Sequence, residues 1–472
     1  MSTDAPDAGA AQAAPRPSGT RLSRGTIARY ATGSLGTGGF ATLPGLVLTY
    51  YLTDSLGVAA LAAGVVITLA KLWDVLVDPV IGALTDRDLA RRGTRRRLML
   101  IGACSIPVLF ALTFAVPPAL GPVVGAVWVF LAFTLTATAF SLFQVPYIAL
   151  PAELTPHYDE RTRLLTWRVV VLTLSILLFG AGGPELRGLT DDPALGYLIM
   201  GIVAGVVIGL GMLVATTVAR RAATAVTVPA LPDASAPAGA GIREHFADGI
   251  RALRRSAPFR ALLSTFLLQA LATGLMLAGA QYVATWVLHS ESAVTLLFVA
   301  LIAPALFAAP AWGVAARRIG KERAFAIAST VFAVAALSIV GVLWAPGAWI
   351  YAPVAVAGIA YAGMQSLPMA MLPDVISHDE RSHESGRAGS FSGVWTAGET
   401  VGFALGASVL TIILAATGYV SSTAGQVVQQ PDAAVTGIVL SFSIVPAALI
   451  VLSLVSLARY PLRRSDIESQ AL

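Results

Sequence analysis

Twelve apolar runs, each long enough to cross a bilayer as a helix, divide this sequence. They lie near 27–51, 57–85, 98–117, 121–151, 164–182, 196–219, 258–288, 292–316, 323–344, 348–373, 391–417 and 434–458. A crossing needs about 20 residues. A chain so patterned has little choice of fold, because backbone N–H and C=O groups in lipid find no water and must bond within the protein. Helices satisfy them internally. A membrane β-barrel would show alternating segments of about ten residues, and the sequence has none. Charged residues make up 12% of the chain, about half the share that coats a soluble domain. The expected fold is therefore an all-α integral membrane protein of twelve transmembrane helices.

The basic residues orient it. Arg16, Arg21 and Arg24 precede span one, Arg29 stands at its very start, and six Arg from Arg87 to Arg97 follow span two. Arg161 and Arg163 follow span four, and the connection near 220–257 carries Arg220, Arg221, Arg243, Arg251, Arg254 and Arg255. Arg317, Arg318, Lys321 and Arg323 follow span eight, Arg381 and Arg387 span ten, and Arg459, Arg463 and Arg464 span twelve. The opposite side has only Arg187, and Lys71 lies inside span two. Basic loops stay in the cytoplasm, so both termini are expected there. The net charge of +5 thus reflects topology and asks for no nucleic-acid partner. Few Lys against many Arg, with abundant Ala, Gly and Val, suggest a high-GC bacterium and hence its plasma (inner) membrane. Residues 1–24 are expected to form a disordered cytoplasmic tail without the basic-then-apolar order of a secretory signal. Residues 459–472 form a second tail.

The two halves echo each other. Gln144-Val145-Pro146, Pro151-Ala152-Glu153 and Asp159-Glu160-Arg161 parallel Gln365-Ser366-Leu367-Pro368, Pro373-Asp374 and Asp379-Glu380-Arg381. Gly82…Asp86-Arg87 after span two likewise parallels Gly313…Arg317-Arg318 after span eight. A six-plus-six repeat is the mark of a two-bundle secondary transporter. It predicts two pseudo-symmetric six-helix bundles, 25–219 and 258–458, joined by a cytoplasmic linker at 220–257. Within that linker Ile242–Arg255 can form a surface amphipathic helix.

Charges inside the membrane single out the chemistry. Lys71, Asp74 and Asp78 are spaced by three and four residues, so they share one face of span two. Ionisable groups at that depth mark an ion or substrate path. Two carboxylates a turn apart relieve their repulsion by sharing a proton, pairing with Lys71 or binding a hard cation such as Na⁺. Pro79 frees a carbonyl beside them. Glu399 in span eleven is the other deep acid. The single Cys, Cys104, excludes a disulfide framework and any cysteine metal site. No His-Glu-x-x-His, Gly-x-Ser-x-Gly or phosphate-cradling loop points to an enzyme. Gly33, Gly36, Gly38, Gly39, Gly402 and Gly406 read as sites of close helix packing.

Tyr50-Tyr51-Leu52-Thr53-Asp54-Ser55-Leu56-Gly57-Val58, followed by Lys71-Leu72-Trp73-Asp74-Val75-Leu76-Val77-Asp78-Pro79, resembles the glycoside–pentoside–hexuronide:cation symporter family. This is the melibiose-permease-like branch of the major facilitator superfamily. Gln144-Val145-Pro146-Tyr147 and Asp159-Glu160-Arg161-Thr162-Arg163 match as well, and the likeness covers roughly 25–455. The resemblance implies a major facilitator fold with the solute held at mid-membrane between the bundles. It implies a cation site of Asp74, Asp78, Lys71 and Ser141, with Asp74 and Asp78 as the Na⁺ ligands if sodium is the coupling ion. Arg168 matches an Arg near bound sugar, and Gln144, Tyr147, Trp395 and Glu399 fall in the same region. Asp86, Arg87, Arg161 and Arg381 are expected to act as a cytoplasmic gate, Asp86 bonding the opposite bundle. Three departures stand out: Val77 replaces a polar cation-site residue, Gly39 and Gln144 stand where sugar carriers have Asp, and Glu399 stands where many members have Lys.

The implied function is cation-coupled symport, with H⁺ or Na⁺, of a sugar, glycoside or similar small solute by alternating access. The protein is expected to need no cofactor beyond the coupling ion and to work in the bilayer as a monomer. A proton-coupled exporter of drugs or metabolites and a lysolipid-type symporter are the alternatives.

Overall fold

A computed structural model describes residues 21–155, 157–219, 256–382, 388–426 and 428–462. The tail before residue 21, the suggested helix Ile242–Arg255 and the side chain of Arg381 lie outside what is described.

Each apolar run becomes a helix. Spans one to six are Arg24–Ala31 with Ser34–Tyr50, Ala60–Arg92, Arg96–Thr113, Gly121–Leu154, Tyr158–Arg187 and Pro193–Thr216. Spans seven to twelve are Ala257–Tyr282, Ala293–Ile319, Lys321–Ser338, Tyr351–Ser382, Ala388–Ala416, and Asp432–Phe442 with Ile444–Ala458. Among the described residues eleven helices are long and apolar enough to cross a membrane. Span one, rich in Gly and Thr, is the one left out, and its helix also breaks at Thr32-Gly33. A side chain at Gly33 would sit 2.6 Å from the Tyr147 ring, so the close approach that bends the span needs glycine. Val123, Phe307 and Val334 turn large apolar side chains outward, as a lipid-facing surface requires.

Several helices outrun their apolar runs. Span two continues through Arg92 and stops at Gly93, whose φ of 67° supplies the left-handed cap. Asp159–Arg163, expected in a loop, form the first turns of span five, and Ser377–Arg381 lie in the last turns of span ten. Hydropathy marks the stretch that touches lipid, whereas a helix ends only where its backbone groups find caps.

Packing repeats between the halves. Span three lies against four and six, and span nine against ten and twelve; two packs on four as eight packs on ten. Between bundles, span two meets eleven, five meets eight, and one meets seven. Spans one and seven both close in a π turn, Tyr51–Ser55 and Val283–Val287. An ion pair is built twice as well: Arg95 Nε meets Glu153 at 2.5 Å, and Lys321 Nζ meets Asp374 at 2.6 Å.

Contacts that seal the bundles together gather on the side opposite the termini, here called the far side. Thr68 and Ser408 hydroxyls lie 2.5 Å apart, and Thr295 Oγ1 donates to Glu185 at 2.8 Å. Ser422 N donates to Thr53 O at 2.9 Å and Ala424 N to Ser55 O at 3.0 Å. On the termini side, by contrast, Arg95, Arg163 and Lys321 pair within their own bundles. The far side is closed in this conformation.

Candidate functional site

Helical spacing places Lys71, Asp74 and Asp78 on one face of span two, and the neighbouring spans complete the cluster. Lys71 Nζ approaches Asp74 Oδ2 at 3.4 Å and lies 5.3 and 5.5 Å from the ring centroids of Phe40 and Phe133. Two aromatic faces therefore share the lysine charge with one carboxylate. Asp74 is buried, and its Oδ1 has no partner among the described residues. Asp78 lies one turn beyond Asp74 and near Ser141 of span four. One lysine and two carboxylates sum to a single negative charge. Together with the orphaned Oδ1, this leaves an oxygen-lined site suited to one proton or one monovalent cation. Asp74, Asp78 and Ser141 would supply its oxygens, and Lys71 would hold the remaining charge in balance.

The nearby polar residues divide. Gln144 accepts from Thr37 Oγ1 at 2.8 Å and stays half-buried. Arg168 stands with its guanidinium 5.4 Å from the Tyr147 ring centroid and keeps an unpartnered Nε. Tyr147 itself was expected to stack on a solute, but both its faces are taken. It is fully buried, stacked between Tyr30 at 4.7 Å and Phe143 at 5.1 Å, and it donates to Tyr30 O at 2.9 Å. Its place is to lock the bend of span one. Tyr147→Phe should therefore cost about 1–3 kcal/mol of stability and lower the unfolding temperature by a few degrees, with solute affinity unchanged. Thermal unfolding and ligand titration on the same sample check this. Trp395 is covered in the same way: it is buried and stacks on Phe266 with centroids 4.2 Å apart. Glu399 is half-buried, beside Tyr361, whose hydroxyl accepts from Gln365 at 2.6 Å.

Among the described residues, those expected to gate the cytoplasmic side stand apart from the opposite bundle in this conformation. Asp86 bonds Arg95 Nη1 at 2.7 Å, inside its own bundle rather than across the cleft. The tight turn at Gly93 folds Arg95 back onto both Asp86 and Glu153. Arg87 is exposed, and Arg161 donates to Thr155 O at 3.3 Å near the start of span five.

Two residues on the far side escaped the sequence reading as functional. Asp54, 9% exposed, accepts from Tyr419 OH at 2.5 Å and from Thr53 Oγ1 at 2.6 Å. Trp286 donates to the same Tyr419 oxygen at 2.8 Å, and Tyr282 OH lies 2.6 Å from Thr53 Oγ1. Arg187 is 6% exposed, donates to Tyr197 OH and to Glu291, both at 3.1 Å, and so ties span five to the loop before span eight. Arg187 had one signal, as the lone basic residue on its side. Asp54 had none, since an acid at a helix end reads as loop.

Two bundles, a charged cluster buried in one of them and a sealed far side describe a carrier of the major facilitator kind. The model of the MFS/sugar transport protein family matches residues 29–464. The chain belongs to that family. Among its relatives is an uncharacterized symporter of Synechocystis sp., 32% identical over 181 residues, which are 36% of this chain and 33% of that protein. The chain thus aligns with about a third of that relative's length. The glucuronide carrier protein homolog of Escherichia coli K12 is 23% identical over 449 residues, 94% of this chain and 93% of that one. The family's fold is echoed in the partially occluded, inward-open xylose transporter XylE of E. coli. Its TM-score is 0.60 at 14% identity, with coverage of 93% of this chain and 98% of that one.

Proposed function

We propose that this protein is a cation-coupled symporter that carries a sugar, glycoside or similar small organic solute by alternating access. The observation that carries the reading is the Lys71–Asp74–Asp78–Ser141 cluster, which holds one uncompensated negative charge inside the membrane. A bound proton or Na⁺ neutralises it and lowers the cost of occluding the site from water. Half-buried Gln144 and Arg168, whose Nε has no partner among the described residues, are the polar groups we assign to the solute. Family membership and a full-length likeness to a glucuronide carrier homolog favour a sugar-like solute. The excess of Arg on the termini side supports cytoplasmic termini. The closed far side is then the outer face, and the conformation is the one that faces the cytoplasm.

Purified protein in proteoliposomes tests this. An imposed Na⁺ or pH gradient should drive a labelled glycoside several-fold above its equilibrium level, and collapsing the gradient should release it. Movement indifferent to both gradients would refute coupling.

A further inference from the structure

Asp54 stands just beyond span one, in the turn Tyr51–Ser55, and is 9% exposed. Among the described residues no basic side chain pairs with it. Trp286 Nε1 donates to the Tyr419 hydroxyl, whose own proton therefore points at Asp54 Oδ1, 2.5 Å away. Thr53 Oγ1 lies 2.6 Å from both Asp54 Oδ2 and Tyr282 OH, and it also reaches Thr49 O at 3.2 Å. This row of hydroxyls suits either form of the acid. Ionised Asp54 accepts from Tyr419 and Thr53. Protonated Asp54 donates to Thr53, which turns its own proton to Thr49 O.

What covers Asp54 comes from the other bundle. Tyr282 and Trp286 end span seven, and Tyr419 follows span eleven. The peptide bonds from Ser422 N to Thr53 O and from Ala424 N to Ser55 O cross the interface on either side of Asp54. The titratable groups near it are Tyr50 on its own span, Tyr282, Tyr419 and, before span eight, Glu291. Glu291 is held in turn by Arg187 at 3.1 Å.

A carboxylate sealed beneath aromatic rings forgoes its water and has no cation to replace it. Water returns only when the bundles part, whereas a proton removes the charge and the drive to part with it. We propose that Asp54 is a proton-binding switch of the far-side gate: with its proton the gate stays shut, and without it the gate opens. The switch acts on access and holds whatever solute is carried. Burial pushes the Asp54 carboxyl up to about 7, against the bonds from Thr53 and Tyr419. In the open gate, wetted, it titrates near the ordinary value of about 4. The closed gate is therefore favoured in full below about pH 4 and loses that advantage as pH rises through about 7.

The test places spin labels on Leu189→Cys and Trp344→Cys, exposed far-side positions in opposite bundles. The protein is full-length and detergent-purified, with Cys104→Ser. A lengthened distance reports opening. The ratio of open to closed should rise at least ~10-fold between about pH 5 and pH 8. Asp54→Asn, whose amide bonds Thr53 and Tyr419 as the protonated acid does, should stay closed throughout. Glu291→Gln should keep the rise. Opening as pH falls would instead mark loss of the Arg187–Glu291 pair. That opposite trend, a flat wild type, an unaltered rise in Asp54→Asn or a lost rise in Glu291→Gln overturns the proposal. Should Asp54→Asn fail to fold, Tyr419→Phe takes its place. Loss of a donor to the ionised form should move the midpoint to higher pH, and an unmoved midpoint overturns the proposal equally. No transport is read, so the symport reading stands or falls separately on its gradient test.

Discussion

Asp78→Asn abolishes gradient-driven accumulation while the protein still folds and exchanges solute. With Asp78 neutral, Lys71 and Asp74 cancel each other, and no charge is left for a cation to neutralise. The site then gains nothing from binding one. Asparagine keeps a side-chain oxygen of the same reach in nearly the same volume, so the packing of spans two and four is preserved. Accumulation in proteoliposomes should fall to the level without a gradient. Solute exchange at equal concentrations, which needs no net cation movement, should persist. Thermal unfolding should shift by no more than a few degrees. Undiminished accumulation in this variant would remove Asp78 from the coupling mechanism.

Filling the glycines at the far-side interface traps the carrier in the opposite state. A Cβ at Gly64 would lie against the Thr411 hydroxyl of span eleven, and one at Gly180 against the Phe298 ring of span eight. Both contacts cross between bundles, so they exist only while the far side is closed. Overpacking costs about 1–3 kcal/mol, enough to shift a two-state population roughly 5- to 100-fold. Gly64→Leu or Gly180→Val should cut turnover by about that factor. An impermeant thiol reagent added from the far side should label a cysteine at Gln144 faster, in a background where Cys104, the single cysteine, is replaced. Gly358 is the control. Its Cβ would press on Leu301 O within one bundle, a contact present in every state, so Gly358→Leu should lower folding yield instead of shifting access. Equal labelling of Gly64→Leu and wild type would show that this interface does not set the conformational balance.

The fold was legible because lipid leaves each span one solution, and the spans were found from apolar length alone. Their ends were not, since helical turns continue into charged residues such as Asp86 and Arg161 that hydropathy assigns to loops. The cation cluster was legible because Lys71, Asp74 and Asp78 lie on one helix and their spacing fixes a shared face. Tyr147 and Trp395 were misread for the converse reason. What covers them, Tyr30 and Phe266, comes from other spans, and no local pattern reports that. Asp54 is the extreme case, with its partner Tyr419 lying 365 positions away.

The π turn that ends span one leaves carbonyls without helical donors, and Thr53 O and Ser55 O take theirs from Ser422 N and Ala424 N across the interface. Part of the far-side seal is thus written in peptide groups, which every residue but proline carries. A proline at 422 or 424 would break one of these bonds outright, whereas other substitutions would act only through the packing of buried Ser422 and of Thr423 against Gly57.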